Sequence, residues 1–286
     1  MSLRPPPLSG RVALVTGANT GIGKVTARVL AEKGAHVFIA CRSAQRAQPV
    51  ADEIRKQTGN PGVELLALDL GDFASVRACA DSFLARNLPL HLLINNAGLS
   101  PRRGQRSKSG FELGFGVNHM GHFLLTQRLL PRLRESTPAR IVTVASRAHF
   151  RVSRRPDWDA LRKPTVSLTG IPEYGMSKLA NVLFSAELAR RLEGSGVTTY
   201  SLHPGVVASD IWRGVPWPFA SLIKLFMITP EQGAETTLHC ALSEEAGAQT
   251  GLYYDECQAK PPGELAQDAN LARELWEQSE RWLAAG

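Results

Sequence analysis

The chain has 286 residues, 43% hydrophobic and 21% charged, enough to build a substantial core in one large α/β domain or two small ones. A formal charge of +7, from 33 lysines and arginines against 26 acids, would suit nucleic acid, an anionic membrane or a phosphorylated ligand. The basic residues are scattered, however, and the densest groups, Arg102-Arg103 with Arg106 and Lys108, and Arg151 with Arg154-Arg155, lack interleaved aromatics and read as solvated loops rather than a nucleic-acid surface.

Cys41, Cys79, Cys240 and Cys257 stand far apart, with no Cys-x-x-Cys and no Cys/His ligand spacing. Neither a zinc site nor a disulfide framework is expected, and reduced thiols in an intracellular, cytoplasmic setting are the simplest account. Residues 1–10 read as an N-terminal extension; they hold Pro5-Pro6-Pro7 and no apolar region of the kind a signal peptide needs. No run approaches the roughly 18 apolar residues of a spanning helix. A soluble chain with residues 11–286 in one domain is the expectation.

Strands and helices alternate along the chain. Val12 to Thr16 is a short apolar run ending in a glycine-rich turn, and Lys24 to Lys33 has helical spacing closed by Gly34. His36 to Cys41 is a second strand, Ala47 to Thr58 a polar helix, and Val63 to Leu68 a third strand. Asp72 is placed to cap a helix over Phe73 to Arg86. Leu90 to Ile94, Ala139 to Ala145 and Val197 to Leu202 are further strands, with one helix around Phe111 to Leu133 and a longer one from near Tyr174 to about Leu192. Pro230 opens another helix, Gly251 to Tyr254 is a seventh strand, and Ala266 to Leu283 is amphipathic. Strands that are apolar throughout, rather than alternating, predict a parallel sheet covered on both faces. The fold class is therefore α/β: one doubly wound, Rossmann-type domain with about seven strands.

The first turn, Thr16-Gly-Ala-Asn-Thr-Gly-Ile-Gly23, joins strand to helix. Glycines there let backbone approach a pyrophosphate, and the free N–H groups of the helix start face the anion. Gly17, Asn19, Thr20, Gly21, Ile22 and Gly23 are the expected dinucleotide-binding residues. After the second strand a ribose 2′-hydroxyl would be held by an acid. Here the strand ends Ala40-Cys41-Arg42, and a guanidinium suits a phosphate instead. NADP(H) is thus the expected cofactor. Asp69-Leu70, after the third strand, is placed to meet the adenine edge or to cap the next helix.

Tyr174 and Lys178 lie four positions apart and share a helix face. A fixed positive charge favours a phenolate, so the pair suits proton transfer; an ordinary amphipathic helix would also contain it. The order of motifs decides. The glycine turn, Asn95-Asn-Ala-Gly98, Ser146, Tyr174-x-x-x-Lys178 and Pro204-Gly205 follow one another as in the classical short-chain dehydrogenase/reductase family, which the chain resembles from about Val12 to Tyr254. Phe115 to Phe123, His203-Pro-Gly205 and Gly251-Leu-Tyr-Tyr254 resemble its retinol dehydrogenase type, with NADP-dependent retinal and carbonyl reductases.

That resemblance implies Tyr174 as proton donor to a carbonyl, Lys178 as the group that lowers its pKa and binds the nicotinamide ribose, and Ser146 as a hydrogen bond to the carbonyl oxygen. Asn118 would hold its helix and a water that passes protons to Lys178. Asn95, Ala97 and Gly98 would line the cofactor, and Pro204, Gly205 and Val207 would sit beside the nicotinamide. The turn carries Asn19-Thr20 where many NADP-preferring members place a basic residue, so Arg42 is the main phosphate determinant. His119, His122, His149 and His203 do not form a zinc pattern. Two segments are expected to set the substrate: the insertion Arg147 to Glu173, and a lid near 207–229 with Trp212, Trp217, Phe219 and Phe226. The latter suits a cover over an apolar substrate, a peripheral membrane contact or an interface. The expected activity is carbonyl–alcohol interconversion on an apolar retinoid, steroid or other lipid-like substrate, in a possible homodimer built on the helix face beside Tyr174. An NAD-dependent alcohol dehydrogenase and a catalytically silent dinucleotide-binding scaffold are the alternatives.

Overall fold

The computed structural model describes residues 7–206 and 228–285. Runs of four to seven residues, largely buried, form the strands β1 (Val12–Thr16), β2 (His36–Cys41), β3 (Val63–Ala67), β4 (Leu92–Asn95), β5 (Ala139–Val144) and β6 (Val197–His203). Two short strands, β7 (Tyr253–Asp255) and β8 (Gln258–Ala259), complete one sheet in the order β3-β2-β1-β4-β5-β6-β7-β8. Every pairing from β3 to β7 is parallel; only β8 runs antiparallel. The expected seven strands are present. The eighth is two exposed residues folded back on β7, too short to leave a hydrophobic pattern.

Helices cover both faces. Cores lie between the sheet and α1 (Gly21–Glu32) and α2 (Ala44–Thr58), joined by Cys240, Ala241 and Ala246, on one side, and between the sheet and α3 (Phe73–Leu84), Phe123, Leu183 and Trp276 on the other. Local signals set their ends. Ser43 caps α2 by accepting from Arg46 N, and Asp72 caps α3 by accepting from Ala74 and Ser75 N. Leu8 is 8% exposed and belongs to the α1–α2 core, so part of the expected N-terminal extension is packed into the domain.

The helix expected over 111–133 is interrupted. It comprises α4 (Leu113–Phe115), a π-helical stretch over Gly116–Met120, and α5 (Gly121–Glu135). Glycines bracket the wide turn because neighbours leave no room: a Cβ on Gly116 would lie 2.6 Å from Ser107 Oγ, and one on Gly121 2.3 Å from Leu70 O. Such a turn holds an extra residue and re-aims side chains, here around Asn118.

The long helix α6 (Ile171–Arg191) starts at Gly170, which has φ +69°, with Pro172 and Glu173 in its first turn and Arg190 and Arg191 in its last. After β6 come α7 (Pro230–Leu242), α8 (Glu244–Gly247) and the C-terminal α9 (Ala269–Ala284). The indole of Trp276 on α9 stacks on Phe184 of α6 at 5.9 Å and meets Phe123 of α5 edge-on at 5.0 Å. Arg191 lies 4.4 Å over the same indole. α9 of the same chain thus packs on α6 at Phe184 and Arg191, toward the end of the helix away from Tyr174. The lid expected over 207–229 lies almost wholly outside the described residues. No helix among the described residues is long and apolar enough to cross a membrane.

Candidate active site

Strand order reverses between β1 and β4, where the chain returns from β3 past β1. Ligands of open α/β sheets bind outside the carboxyl ends of strands at such a point. The β1–α1 turn opens there. Thr20 precedes α1 but makes no side-chain cap bond, and the first turn has no acid. The N–H groups of that turn therefore remain for an anion, as a dinucleotide pyrophosphate would require.

Glycines give the turn its shape. Gly17 has φ +67° and sits so close to the β4 loop that a Cβ would lie 2.9 Å from Ala97 Cα. Gly21 has φ +54° and open space above it, while a Cβ on Gly23 would meet Asn96 Nδ2 at 2.5 Å and Gly17 O at 2.6 Å. Asn19 and Ile22 are half-buried beside them and Thr20 is exposed. These residues fit a dinucleotide backbone.

The turn is tied to β4 by Thr16, Asn96 and His122, which have no expected part in binding the dinucleotide. Asn96 Nδ2 donates to Thr16 O at 2.8 Å, and the Asn96 and Ala97 amides both donate to Thr16 Oγ1 at 2.9 Å. Thr16 Oγ1 also meets His122 Nε2 at 2.9 Å, and His122 Nδ1 donates to Asn118 O at 3.0 Å. Burial holds His122 down at about 4, so the imidazole is neutral and bonds at both nitrogens. His119, beside it, is lowered to about 3 by the same cause. Asn95 departs from its expected place: its side chain is fully buried under the sheet, donating to Thr126 Oγ1 at 3.1 Å. Its neighbour Asn96 supports the turn, and the doubled Asn95-Asn96 was the available sequence clue.

Arg42 is exposed at the end of β2. Asp69 is half-buried after β3; its Oδ1 accepts from Gly71 N at 3.1 Å, and Lys108 Nζ lies 3.6 Å from Oδ2. It shapes the turn, and Asp72 rather than Asp69 caps α3. The Leu70 side chain is buried in the core. Gly98 faces the inner end of the cleft: a Cβ there would lie 3.4 Å from Lys178 Nζ and 3.5 Å from Asn118 Oδ1. Pro204 and Gly205, the latter with φ +88°, follow β6 and are half-buried. Val207 lies outside the described residues.

Ser146, Tyr174, Lys178 and Asn118 come together at this end of the sheet. Asn118 is fully buried; its Nδ2 donates to Ser177 Oγ and Leu99 O, each at 2.9 Å, and its Oδ1 accepts from Leu99 N at 2.9 Å. Lys178 Nζ donates to Val144 O at 2.8 Å and lies 5.6 Å from the Tyr174 ring centroid. Burial pulls the ammonium down to about 7. Burial also raises the half-buried Tyr174 phenol, opposed by a hydrogen bond with Ser146. The simple expectation, a lysine charge that lowers the phenol, is thus outweighed in this chain by desolvation of both groups.

Ser146 is held from both sides. His149 Nε2 accepts from Gly263 N at 3.0 Å, so its Nδ1 carries the proton and donates to Ser146 O at 2.6 Å. Arg147 Nε donates to buried Asp255 Oδ2 at 2.6 Å, and Arg147 N to His203 Nδ1 at 3.4 Å. Burial keeps His203 neutral, down at about 4. Arg147 and His149, next to the serine in sequence, are anchored by Asp255, His203 and Gly263 from distant segments, which left no local pattern to find.

A glycine turn at the switch point, with a serine, a tyrosine and a lysine beside it, defines an oxidoreductase on an NAD(P)-binding fold. The chain belongs to the short chain dehydrogenase family, whose model matches residues 11–155. It is retinol dehydrogenase-like: human "Retinol dehydrogenase 11" is 47% identical over 278 residues, covering 95% of this chain and 85% of that protein. An uncharacterised protein from Mycobacterium paratuberculosis has the same fold, with TM-score 0.80 and 33% identity over 98% of this chain and 96% of its own. A 3-ketoacyl-(acyl-carrier-protein) reductase from Brucella melitensis, complexed with NADH, aligns with TM-score 0.67 and 26% identity, covering 87% of this chain and 97% of its own. The Pseudomonas aeruginosa RhlG/NADP active-site complex aligns with TM-score 0.72 and 28% identity, covering 92% and 100%.

Proposed function

We propose that the protein is an NADP(H)-dependent oxidoreductase that interconverts a carbonyl and an alcohol on an apolar, lipid-like substrate such as a retinoid or steroid. One observation carries the reading: the buried Lys178 places its Nζ 5.6 Å from the Tyr174 ring centroid and donates to Val144 O at the end of β5, the strand that Ser146 follows. When bound, the nicotinamide supplies or accepts the hydride. Ser146 Oγ donates to the substrate oxygen and fixes it beside the phenol. Tyr174 gives its proton to that oxygen in reduction and takes it back in oxidation. Lys178 recovers its charge near the anionic cofactor, lowers the phenol and binds the ribose hydroxyls. Asn118 holds the π-helical turn beside Gly98 and, through a water, passes protons to Lys178.

Arg42 supports the choice of NADP(H): it is exposed where a ribose-binding acid would stand, and its guanidinium matches a 2′-phosphate. Asp69, Leu70, Ala97, Gly98, Pro204, Gly205 and Val207 complete the cofactor surface in this reading. The family name of the retinol dehydrogenase relative supports an apolar alcohol or aldehyde. Four free cysteines suit a reducing, cytoplasmic setting.

The test is a panel of aldehydes and ketones with NADPH or NADH, followed at the reduced nicotinamide absorbance. Turnover with NADPH is expected for the parent, and none for Tyr174→Phe, which keeps its NADPH affinity. Arg42→Asp is expected to move preference toward NADH. Tight NADPH binding with no turnover on any substrate would establish the scaffold reading instead, and equal use of NADH by the parent would remove the role given to Arg42.

A further inference from the structure

The hairpin of β7 and β8 carries a strained turn. Asp255 pairs with Gln258, so Glu256 and Cys257 form a two-residue connection, and both have positive φ, +54° and +60°. Such a turn ordinarily takes Asn or Gly; other residues adopt it at a cost, and it persists where the surroundings hold it. Here Cys257 N donates to Thr236 Oγ1 of α7 at 3.3 Å. The Glu256 carboxylate accepts from Arg147 Nη2 at 3.1 Å and from Lys260 Nζ at 2.8 Å.

The hairpin's contacts converge on the residues after Ser146. Asp255 is 4% exposed, and its Oδ2 accepts from Arg147 Nε at 2.6 Å. His203, its register partner on β6, accepts from Arg147 N at 3.4 Å. The residue after the serine is thus tied at backbone and side chain to the ends of two strands. Beyond β8, Gly263 N donates to His149 Nε2 at 3.0 Å, and a Cβ there would lie 3.3 Å from His149 Cδ2. The Tyr253 ring meets the same imidazole edge-on at 4.9 Å. Between these anchors Ser146 opens one turn of 3-10 helix, Arg147–Arg151, and its Oγ accepts from Ala148 N at 3.2 Å. That bond occupies a lone pair of the hydroxyl and leaves its proton free to donate.

We propose that the β7–β8 hairpin is a positioning element of the reaction centre, with Asp255 as its positioning residue: through Arg147 it fixes the Ser146 hydroxyl where it meets the substrate oxygen. This role rests on the one given to Ser146 above. Asp255 acts at a distance and touches neither substrate nor cofactor. A merely structural ion pair between Asp255 and Arg147 would not need a strained turn that brings a second carboxylate, Glu256, to the same guanidinium. A reacting group misplaced by about 1 Å can slow a reaction about 100-fold, which is the scale of effect such an element controls.

The experiment separates rate from stability. Asp255→Ala and Arg147→Met each strand one charged partner, and each is expected to melt below the parent. The double variant removes both partners and is expected to melt near the parent. Its kcat for carbonyl reduction with NADPH is nevertheless expected to stay about 100-fold down, as in the single variants, with the Kd for NADPH unchanged. Made on a Ser146→Ala background, the same double change is expected to lower kcat no further, because it acts through that hydroxyl. Asp81→Asn, which breaks the exposed ion pair with Arg128, is expected to match the parent in kcat. A kcat that recovers together with the melting temperature in the double variant would overturn the proposal, and so would a further loss on the Ser146→Ala background. Hydrogen exchange of the Ala148 amide, which donates to Ser146 Oγ, reads the same geometry without turnover. Faster exchange is expected in the double variant, and an unchanged rate would overturn the proposal whether or not any substrate is turned over. Faster exchange with no turnover by the parent would instead remove the catalytic reading and leave the hairpin as what orients Ser146.

Discussion

Replacing Lys178 by methionine is expected to strengthen the fold while removing turnover, and the gain should depend on pH. Burial holds the ammonium at about 7 against an ordinary 10.5. The unfolded chain therefore binds more protons than the folded one between these values, so this lysine opposes folding most at low pH, and stability rises with pH through that window. At pH 7 the opposition amounts to about 4 kcal/mol, and at pH 9 to about 2 kcal/mol. Methionine keeps the apolar stem. It gives up the bond from Nζ to Val144 O, but Asn181 Nδ2 still donates to that carbonyl at 3.2 Å. Losing one of two donors costs about 1 kcal/mol. The net gain is about 3 kcal/mol at pH 7 and about 1 kcal/mol at pH 9. Urea unfolding of parent and variant without dinucleotide, at both pH values, measures it. A variant less stable than the parent at pH 7, or a gain equal at the two pH values, would refute the desolvation argument.

Three further substitutions probe the frame of the site. Gly23→Ala would ordinarily gain about 1 kcal/mol in a helix; here the Cβ meets Asn96 and Gly17 O at 2.5 and 2.6 Å. A net loss of about 2 kcal/mol is expected, with no thermal shift on adding NADPH, and a melting temperature above the parent's would contradict it. Thr16→Val strips a partner from the amides of Asn96 and Ala97 and from His122, at a cost of about 2–3 kcal/mol in chemical denaturation; a neutral result would mean that the threonine is not what joins β1 to β4. Trp276→Ala opens the stack with Phe184 and Phe123 and is expected to cost about 3–5 kcal/mol. A loss under about 1 kcal/mol would show that α9 is not anchored by this indole.

The sheet was legible because most of its strands are β-branched and apolar runs, and β1 to β6 fall within two residues of their expected bounds. Ser146, Tyr174 and Lys178 were legible because strand end and helix face are local properties of the chain. The π-helical turn was not: Gly116 and Gly121 look like helix weaknesses until Ser107 and Leu70 are seen against them. Nor was the direction of Asn95, which depends on Thr126 in the next helix. The amphipathic tail predicted a helix, but not that its apolar stripe lies on α5 and α6. The basic loop around Arg102 reads as merely solvated; its pairing with Thr165 depends on contacts between segments about sixty residues apart.

The placement of α9 bears on how the protein is made. Ser279 of α9 meets His119 Nε2 at 3.3 Å, beside Asn118, and Trp276 closes the outer side of α6. Made after every other helix described above, α9 thus finishes the wall behind Tyr174 and Lys178. A nascent chain still lacking Ala269–Ala284 exposes Phe123 and Phe184, with the reaction centre's supporting helix unbacked. A premature stop in that stretch would spare every residue given a chemical role and yet leave them without their mould.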